Sequence, residues 1–348
     1  MALTRIRGSV LGRDYNTLQE AVSDAANISV GDVLELAGYH TKGSGAGTWD
    51  VVAYNAGSIN GANIVDGDGS TKMYQLVLTD VLDVVQWGAY PDDTNATTTT
   101  AAFSAVFLYA EDQAAHITIK ASGNFTIDKS NLWNVTDNTT LDFSSAIFTP
   151  STTDITPNLN LIYIRGRRTG TARKTLDASP FGDPTLTTAL TVDAIAGDIS
   201  VTLASVTGVE EGDLLLFYSL EKFEKDSAKN ATAETGRVSS VVGSVVYLDA
   251  PLLCDYTTAG HVGGGGTGFP DVKLYKTAQN VTIKGGTFLI DEKISVGLKL
   301  TEINNLKTID IEVVDSLVNG MRIEFCSSDL HNDFRSRRHG ENAATDAS

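Results

Sequence analysis

Two short strand-like patterns recur in the last part of this 348-residue chain. Val281-Thr-Ile-Lys is matched by Ile309-Asp-Ile-Glu, 28 residues on, and Gly297-Leu-Lys-Leu-Thr by Gly320-Met-Arg-Ile-Glu, 23 residues on. A unit repeating every few tens of residues cannot bury its apolar face alone and must stack on its neighbours. No helical pattern accompanies each copy, so the unit reads as a rung of a parallel β-helix rather than a leucine-rich repeat. The unequal offsets call for turns of different length between strands. Composition agrees: 40 Thr, 32 Gly, 7 Pro and only 20% charged residues describe a turn-rich β protein, not a helical bundle.

Upstream, the pattern changes several times. Tyr15-Asn-Thr-Leu-Gln-Glu-Ala-Val predicts a helix, with Thr17 able to cap it and Glu20 three residues on, as in a capping box. Short strands follow at 30–39, 48–54, 62–65 and 73–78, making a small β-rich unit over residues 1–80. From Val81 a new unit begins. The Thr-rich stretch 95–100 leads into a helix predicted over 101–111, where Ala102, Ala105, Val106 and Tyr109 share one face. Alternating strands near 116–120, 124–128, 140–148 and 160–165 complete residues 81–183. Arg165, Arg167, Arg168, Arg173 and Lys174 make residues 165–180 locally basic, read as a linker in preference to a patch for an anionic ligand. Over 184–275, strand-like runs separated by turns such as Gly197-Asp198 and Gly212-Asp213 predict an inserted small β-barrel or sandwich. Residues 276–334 carry the further rungs, and 335–348 form a polar tail without strand signal.

Charge narrows the partners. Lys and Arg number 26, Asp and Glu 43, so the net charge is −17. Nucleic-acid binding leans on a basic footprint and is not expected, nor is attraction to an anionic membrane. No stretch is long and apolar enough to predict a membrane span. No apolar leader core follows Met1, so no signal peptide is expected and synthesis in a cytoplasm is. Cys254 and Cys326 have no C-x-x-C spacing and read as small, buried or half-buried thiols.

Three segments in this order resemble the bacteriophage tailspikes, in which a short particle-proximal unit precedes a right-handed β-helix like that of the pectate lyases. The first is Val30-Gly-Asp-Val, Gly38-Tyr39 and Lys42-Gly-Ser-Gly-Ala-Gly-Thr-Trp, similar to that family's cap region. The second is Val84-Val-Gln-Trp-Gly-Ala with Asp92-Asp-Thr before the helix, similar to the start of its β-helix, although Tyr90-Pro91 replaces the usual Gly-Asp-Gly. The third is the rung pattern after Asn280. The resemblance implies a mainly β fold: an N-terminal β-rich cap unit, then a right-handed parallel β-helix with the inserted barrel or sandwich. It implies a virion component that attaches through residues 1–80 to other phage tail proteins, binds host capsule or lipopolysaccharide, and forms a homotrimer. A polysaccharide depolymerase, hydrolase or lyase, is the alternative. A structural adaptor carrying a longer receptor-binding protein is another, because such spikes usually run through more rungs than are seen here. The resemblance thus leaves open whether the chain is an enzyme.

Glycan cleavage works with paired carboxylates, about 6.5–9.5 Å apart for inversion and about 5–5.5 Å for retention. Residues i and i+2 of a strand share a face at about 6.6 Å, from a rise near 3.3 Å. Asp310 and Glu312 meet this, with Ile309, Ile311 and Val313 expected to point inward, and Glu324, stacked beside Thr301, could join them. These three are the candidate catalytic residues. Asp291 and Glu292, His331 and His339 beside Asp329 and Asp333, and His261 before Gly263–Gly266 are weaker candidates. No metal or cofactor is expected: the His/Asp spacing suits no metal site, and the glycine run lacks the Lys-Ser/Thr of a phosphate loop. Trp49 and Trp87, placed in strands, are read as core rather than sugar platforms.

Overall fold

The computed structural model describes residues 12–337 except 43, 56–62, 93, 114–115, 129–130, 153–159, 169–170, 172–183, 223–230, 257, 259–270, 292, 317–318, 325 and 327–331.

Strand β1 (Arg13–Tyr15) is followed by the expected helix, α1 (Leu18–Ser23). Thr17 Oγ1 accepts from Glu20 N at 3.2 Å, while the Glu20 carboxylate accepts from Asn16 N at 2.8 Å, one residue earlier than in a regular capping box. Strands β2 (Val33–Leu36), β3 (Gly47–Ala53), β4 (Ile64–Asp66) and β5 (Lys72–Leu76) complete a five-stranded sheet in the order β1-β2-β3-β5-β4. Only the β1–β2 pair is parallel. The glycine-rich loop before β3 lies against the next unit. Gly45 has φ +74°, and a Cβ there would sit 2.6 Å from the Val85 carbonyl oxygen. Only glycine permits both that backbone and that approach.

The solenoid begins with β6 (Val81–Asp83). Trp87, expected in a strand, instead lies in a 3-10 turn over Val84–Trp87, whose start is capped by the half-buried Asp83 carboxylate. The following helix, α2 (Ala96–Glu111), starts five residues earlier than the apolar spacing suggested. Asn95, at φ +50°, caps Thr98 N and draws the threonine run into the first turns. Helix α2 packs on β7 (Thr118–Ile127) and β8 (Asn131–Val135), the first full rung, and so closes that end of the solenoid. Phe103 and Phe107 stack on Trp133 with ring centroids 5.1 and 4.8 Å away.

The second rung comprises β9 (Thr140–Pro150) and β10 (Asn160–Gly166). The chain then leaves for β11 (Leu186–Ala189), β12 (Ser200–Thr202), β13 (Leu214–Lys222), β14 (Ala231–Val242), β15 (Val245–Leu248) and β16 (Asp271–Tyr275). These form an antiparallel sheet in the order β11-β16-β13-β14-β15-β12. A bridge between Leu190 and Leu203 joins its two edges, so the sheet closes on itself around Leu215, Phe217, Val238, Val246 and Tyr256. Among the described residues, its anchorage to the solenoid centres on Gly212. The Gly212 carbonyl accepts from Thr277 Oγ1 at 3.2 Å, Gln279 Nε2 at 3.1 Å and Asn304 Nδ2 at 3.2 Å. Beside it, Lys276 Nζ lies 2.9 Å and an Arg168 guanidinium nitrogen 3.1 Å from the buried Asp213 carboxylate.

The chain re-enters the stack through β17 (Ala278–Gln279), β18 (Thr282–Lys284), β19 (Thr287–Leu289) and β20 (Val296–Thr301). The next turn is β21 (Ile303–Asn304), β22 (Lys307–Val314) and β23 (Asn319–Glu324), and β24 (Asn332–Arg337) pairs with β22. Three parallel stacks result. The long one runs β6, β7, β9, β18 with β19, β22, β24; the second β8, β10, β20, β23; the short third is β17 with β21. This is the expected parallel β-helix. The polar segment from Arg335, expected without a strand, extends β24 to Arg337, because pairing with β22 supplies hydrogen bonds that side-chain pattern does not reveal.

The register corrects one of the two repeats. Val296 pairs with Asn319, the expected 23-residue step. Thr282 pairs with Lys307, so the long stack advances by 25 residues, not 28. The alignment of Val281 with Ile309 matched side-chain types; stacking instead follows the turns. Asn138, Asn280 and Asn305 all occupy left-handed backbone, with φ of 61°, 58° and 55°. Asn280 Nδ2 donates to Asn138 Oδ1 at 3.1 Å, and Asn305 Nδ2 to Asn280 Oδ1 at 2.8 Å. Inside, Phe125, Phe148 and Phe288 stack on successive rungs with centroids 5.9 and 5.1 Å apart.

The asparagine ladder gives a test. Asn280→Gly keeps the left-handed turn and loses only the side-chain bonds, whereas Asn280→Ala loses both and is expected to cost roughly 1 kcal/mol more. Urea unfolding of the two variants against the parent protein measures the difference.

Candidate functional site

On the outer face of the long stack, the strands do not run straight through. Asp310 has φ +52° and Gly285 φ +63°, so β22 and the β18–β19 segment both kink at neighbouring positions. A Cβ on Gly285 would lie 2.3 Å from Ser144 Cα, which is why the rung can close on β9 only with glycine there. The kinks leave an open groove of about 280 Å³, lined among others by Ser144, Lys284, Thr287, Asp310, Glu312 and Arg335.

Asp310 and Glu312 therefore line one groove, but not by the geometry the sequence implied. The positive φ at Asp310 ends the two-residue alternation. Thr308 is fully buried in place of Ile309, which is half-buried, and Ile311 and Val313 do point inward. The spacing of a regular strand does not apply to this pair. Glu324 does not join them. It pairs with Thr301 in register as expected, but on β23 in the second stack. There its carboxylate meets Lys299 Nζ at 3.1 Å and the Arg322 guanidinium, and Lys299 lies 4.7 Å from the centre of the Tyr163 ring.

The groove also contains groups that the sequence reading missed. Lys284 ends β18, Thr287 begins β19, and Arg335 on β24 stands opposite Glu312 in register. The Gly285-Gly286 pair after a strand was the available signal, since adjacent glycines in a strand pattern mark a kink. A second groove, about 420 Å³, lies further along the same sheet and contains Asp291, Lys293 and Asp315.

Other candidates are accounted for differently. Arg165, Arg167 and Arg168 form neither a linker nor a surface patch. Arg165 is 1% exposed, and its guanidinium contacts the buried Glu302 carboxylate at 2.6 Å. Arg167 holds the Glu111 carboxylate at 3.3 Å and the Glu111 carbonyl at 3.2 Å, a cation placed at the C-terminal end of α2. Arg168 turns to Glu210 and Asp213 beneath the closed sheet. Trp49 and Trp87 are both buried. Burial pushes the Cys326 thiol up to about 12, which leaves it un-ionised at neutral pH. Arg173, Lys174, His261, the Gly263–Gly266 run, Glu292, Asp329, His331 and His339 lie outside the described residues. Among the described residues, no group of three or more His, Cys, Asp or Glu could hold a metal ion, and no helix is long and apolar enough to cross a membrane.

No family model matches the chain, and no curated protein matches it. Solved structures similar to it include phage tailspikes and a tailspike-like enzyme. The tailspike gp49 of Pseudomonas phage LKA1 is 18% identical with a TM-score of 0.44, over 70% of this chain and 40% of that one. The gp54 tailspike of Acinetobacter baumannii bacteriophage AP22, solved with an A. baumannii capsular saccharide, is 14% identical with a TM-score of 0.42, over 69% and 36%. Pantoea stewartii WceF, described as a glycan biofilm modifying enzyme with a tailspike-like parallel β-helix, is 12% identical with a TM-score of 0.34, over 96% and 48%. The matched region spans less than half the length of each of the three.

The buried arginine predicts a large stability effect. Removing one partner of a buried ion pair strands the other and costs about 3–5 kcal/mol. Arg165→Met and Glu302→Gln are each expected to destabilise by roughly that amount, and the double variant by clearly less than their sum. A double-mutant cycle in urea measures the coupling.

Proposed function

We propose that this chain is a tailspike-type virion component, made in the host cytoplasm, which attaches to the phage tail and binds host surface polysaccharide through the groove of its long parallel stack. The observation that supports this most is the groove itself. It is open and crosses neighbouring rungs. It presents Ser144 and Thr287 hydroxyls, the Lys284 and Arg335 cations and the Asp310 and Glu312 carboxylates together. A glycan chain is extended and rich in hydroxyls that both donate and accept, and such a cleft offers it donors and acceptors along its length. In this reading residues 1–80 face the particle, 81–183 and 276–334 build the solenoid, and 184–275 are the inserted closed sheet. The copies associate as a homotrimer, which would cover strand faces that a lone solenoid exposes.

A second reading, depolymerisation, is favoured by one feature: two carboxylates in the same groove. One would protonate the leaving oxygen and the other would act as base or nucleophile, the division of labour in most glycoside hydrolases. A lyase would use one of them to take the proton beside a uronate carboxylate.

Two measurements decide. Purified protein is expected to bind capsule or lipopolysaccharide on lawns of a susceptible host, and to clear zones if it is an enzyme. Asp310→Asn with Glu312→Gln should then reduce clearing at least about 100-fold while leaving the melting temperature unchanged. Neither binding nor clearing would leave the adaptor role. Sedimentation velocity is expected to give three times the chain mass; a stable monomer would contradict the trimer.

A further inference from the structure

We infer that the groove selects polysaccharides carrying an anionic substituent, carboxylate or phosphate, with Lys284 and Arg335 as the determinants. This rests on the glycan-binding reading of the same groove and adds to it the class of sugar. The overall charge argues the other way, since a chain at −17 repels a polyanion at long range. At physiological salt, however, that repulsion is screened beyond about 8 Å, so the groups inside a groove decide what it accepts.

Those groups are arranged by rung. Thr287, Glu312 and Arg335 stand in register on β19, β22 and β24, and Lys284 stands beside Ile309 on β22. The carboxylates occupy the middle rung and the cations the two flanking rungs. With rungs about 4.8 Å apart, the cations straddle the carboxylates over roughly 10 Å. Both cationic side chains are exposed. Among the described residues neither makes an ion pair, although both share the groove with Asp310 and Glu312. On the neighbouring stack the behaviour is opposite: Lys299 and Arg322 both close on Glu324. The groove therefore holds two positive charges open to a ligand in a protein with an excess of carboxylates. A glycan lying along the solenoid axis would rest an anionic group on Lys284 or Arg335 and carry its neighbouring linkage over Asp310 and Glu312. A neutral glycan would leave both cations unused.

The test uses the full chain and a panel of purified bacterial capsular polysaccharides that are uronate-containing, substituted with pendant phosphate monoesters, or neutral. Each acidic one is also measured after neutralisation, by carbodiimide–borohydride reduction for carboxylates or cold hydrofluoric acid for phosphates. The bound members are expected to be acidic, with affinity falling at least about tenfold on neutralisation and falling further with added salt. Which treatment abolishes binding identifies the anion. Lys284→Gln and Arg335→Gln should each weaken acidic binding by roughly fivefold, and weaken any residual binding to the neutralised form by clearly less. Unchanged melting temperatures establish that both variants fold. Equal binding before and after neutralisation, still lost on substituting Asp310 and Glu312, would overturn this inference and leave the glycan reading standing. Absence of binding to every polysaccharide would overturn both.

Discussion

In-register stacking of parallel strands is the constraint on which the rest of the molecule depends. Each rung must present its apolar residues to the same interior and its polar residues to the same outer face. A slip of one residue would exchange the two. The asparagines at 138, 280 and 305 hold this register at the turns, where left-handed backbone and a side-chain amide are needed together. Asn is the residue that supplies both, because its short amide tolerates that conformation and can bond to its copy above and below. The phenylalanine stack through Phe125, Phe148 and Phe288 is a consequence of this register and adds apolar burial to it.

What the stack leaves unsatisfied is met by the other elements. Its first rung would expose Trp133 and Phe125, and helix α2 covers them with Phe103 and Phe107. Arg167 fastens the far end of that helix. The closed antiparallel sheet interrupts the solenoid between the second and third rungs without breaking the register, because the strands on either side still pair: Ile162 with Leu298, and Thr140 with Thr282. Its anchorage includes polar contacts through Gly212 and the Asp213 carboxylate, and the main apolar cores of the solenoid and of the closed sheet are separate clusters.

Much of this was legible in the residues. Periodicity two and the paired repeats gave the solenoid, and the capping pattern at Thr17 and Glu20 placed the first helix. The apolar face of residues 102–109 placed the second. What could not be read were features that depend on contacts distant in sequence. Arg165 sits in a run of basic residues that looks solvated, and only its meeting with Glu302 makes it a core residue. The 25-residue step was misplaced because side-chain types repeat more conspicuously at 28, whereas hydrogen bonding at the turns sets the true pairing. Of the candidate carboxylates, Asp310 and Glu312 came to one groove, and Glu324 to another face.

The sequence by itself determined the class of architecture, since alternating short strands without a helix per repeat have few other ways to bury an apolar face. It also determined the acidic character of the surface and the choice of Asp310 and Glu312 as neighbours, which follow from composition and adjacency. The tertiary structure alone decided which side of the stack is grooved and which cations enter it. Lys284 and Arg335 stand 51 positions apart in the chain and meet across β22 only because parallel rungs stack. Kinks at Gly285 and Asp310 then open the space between them, and such a kink reflects the backbone torsions that neighbouring rungs impose on one another.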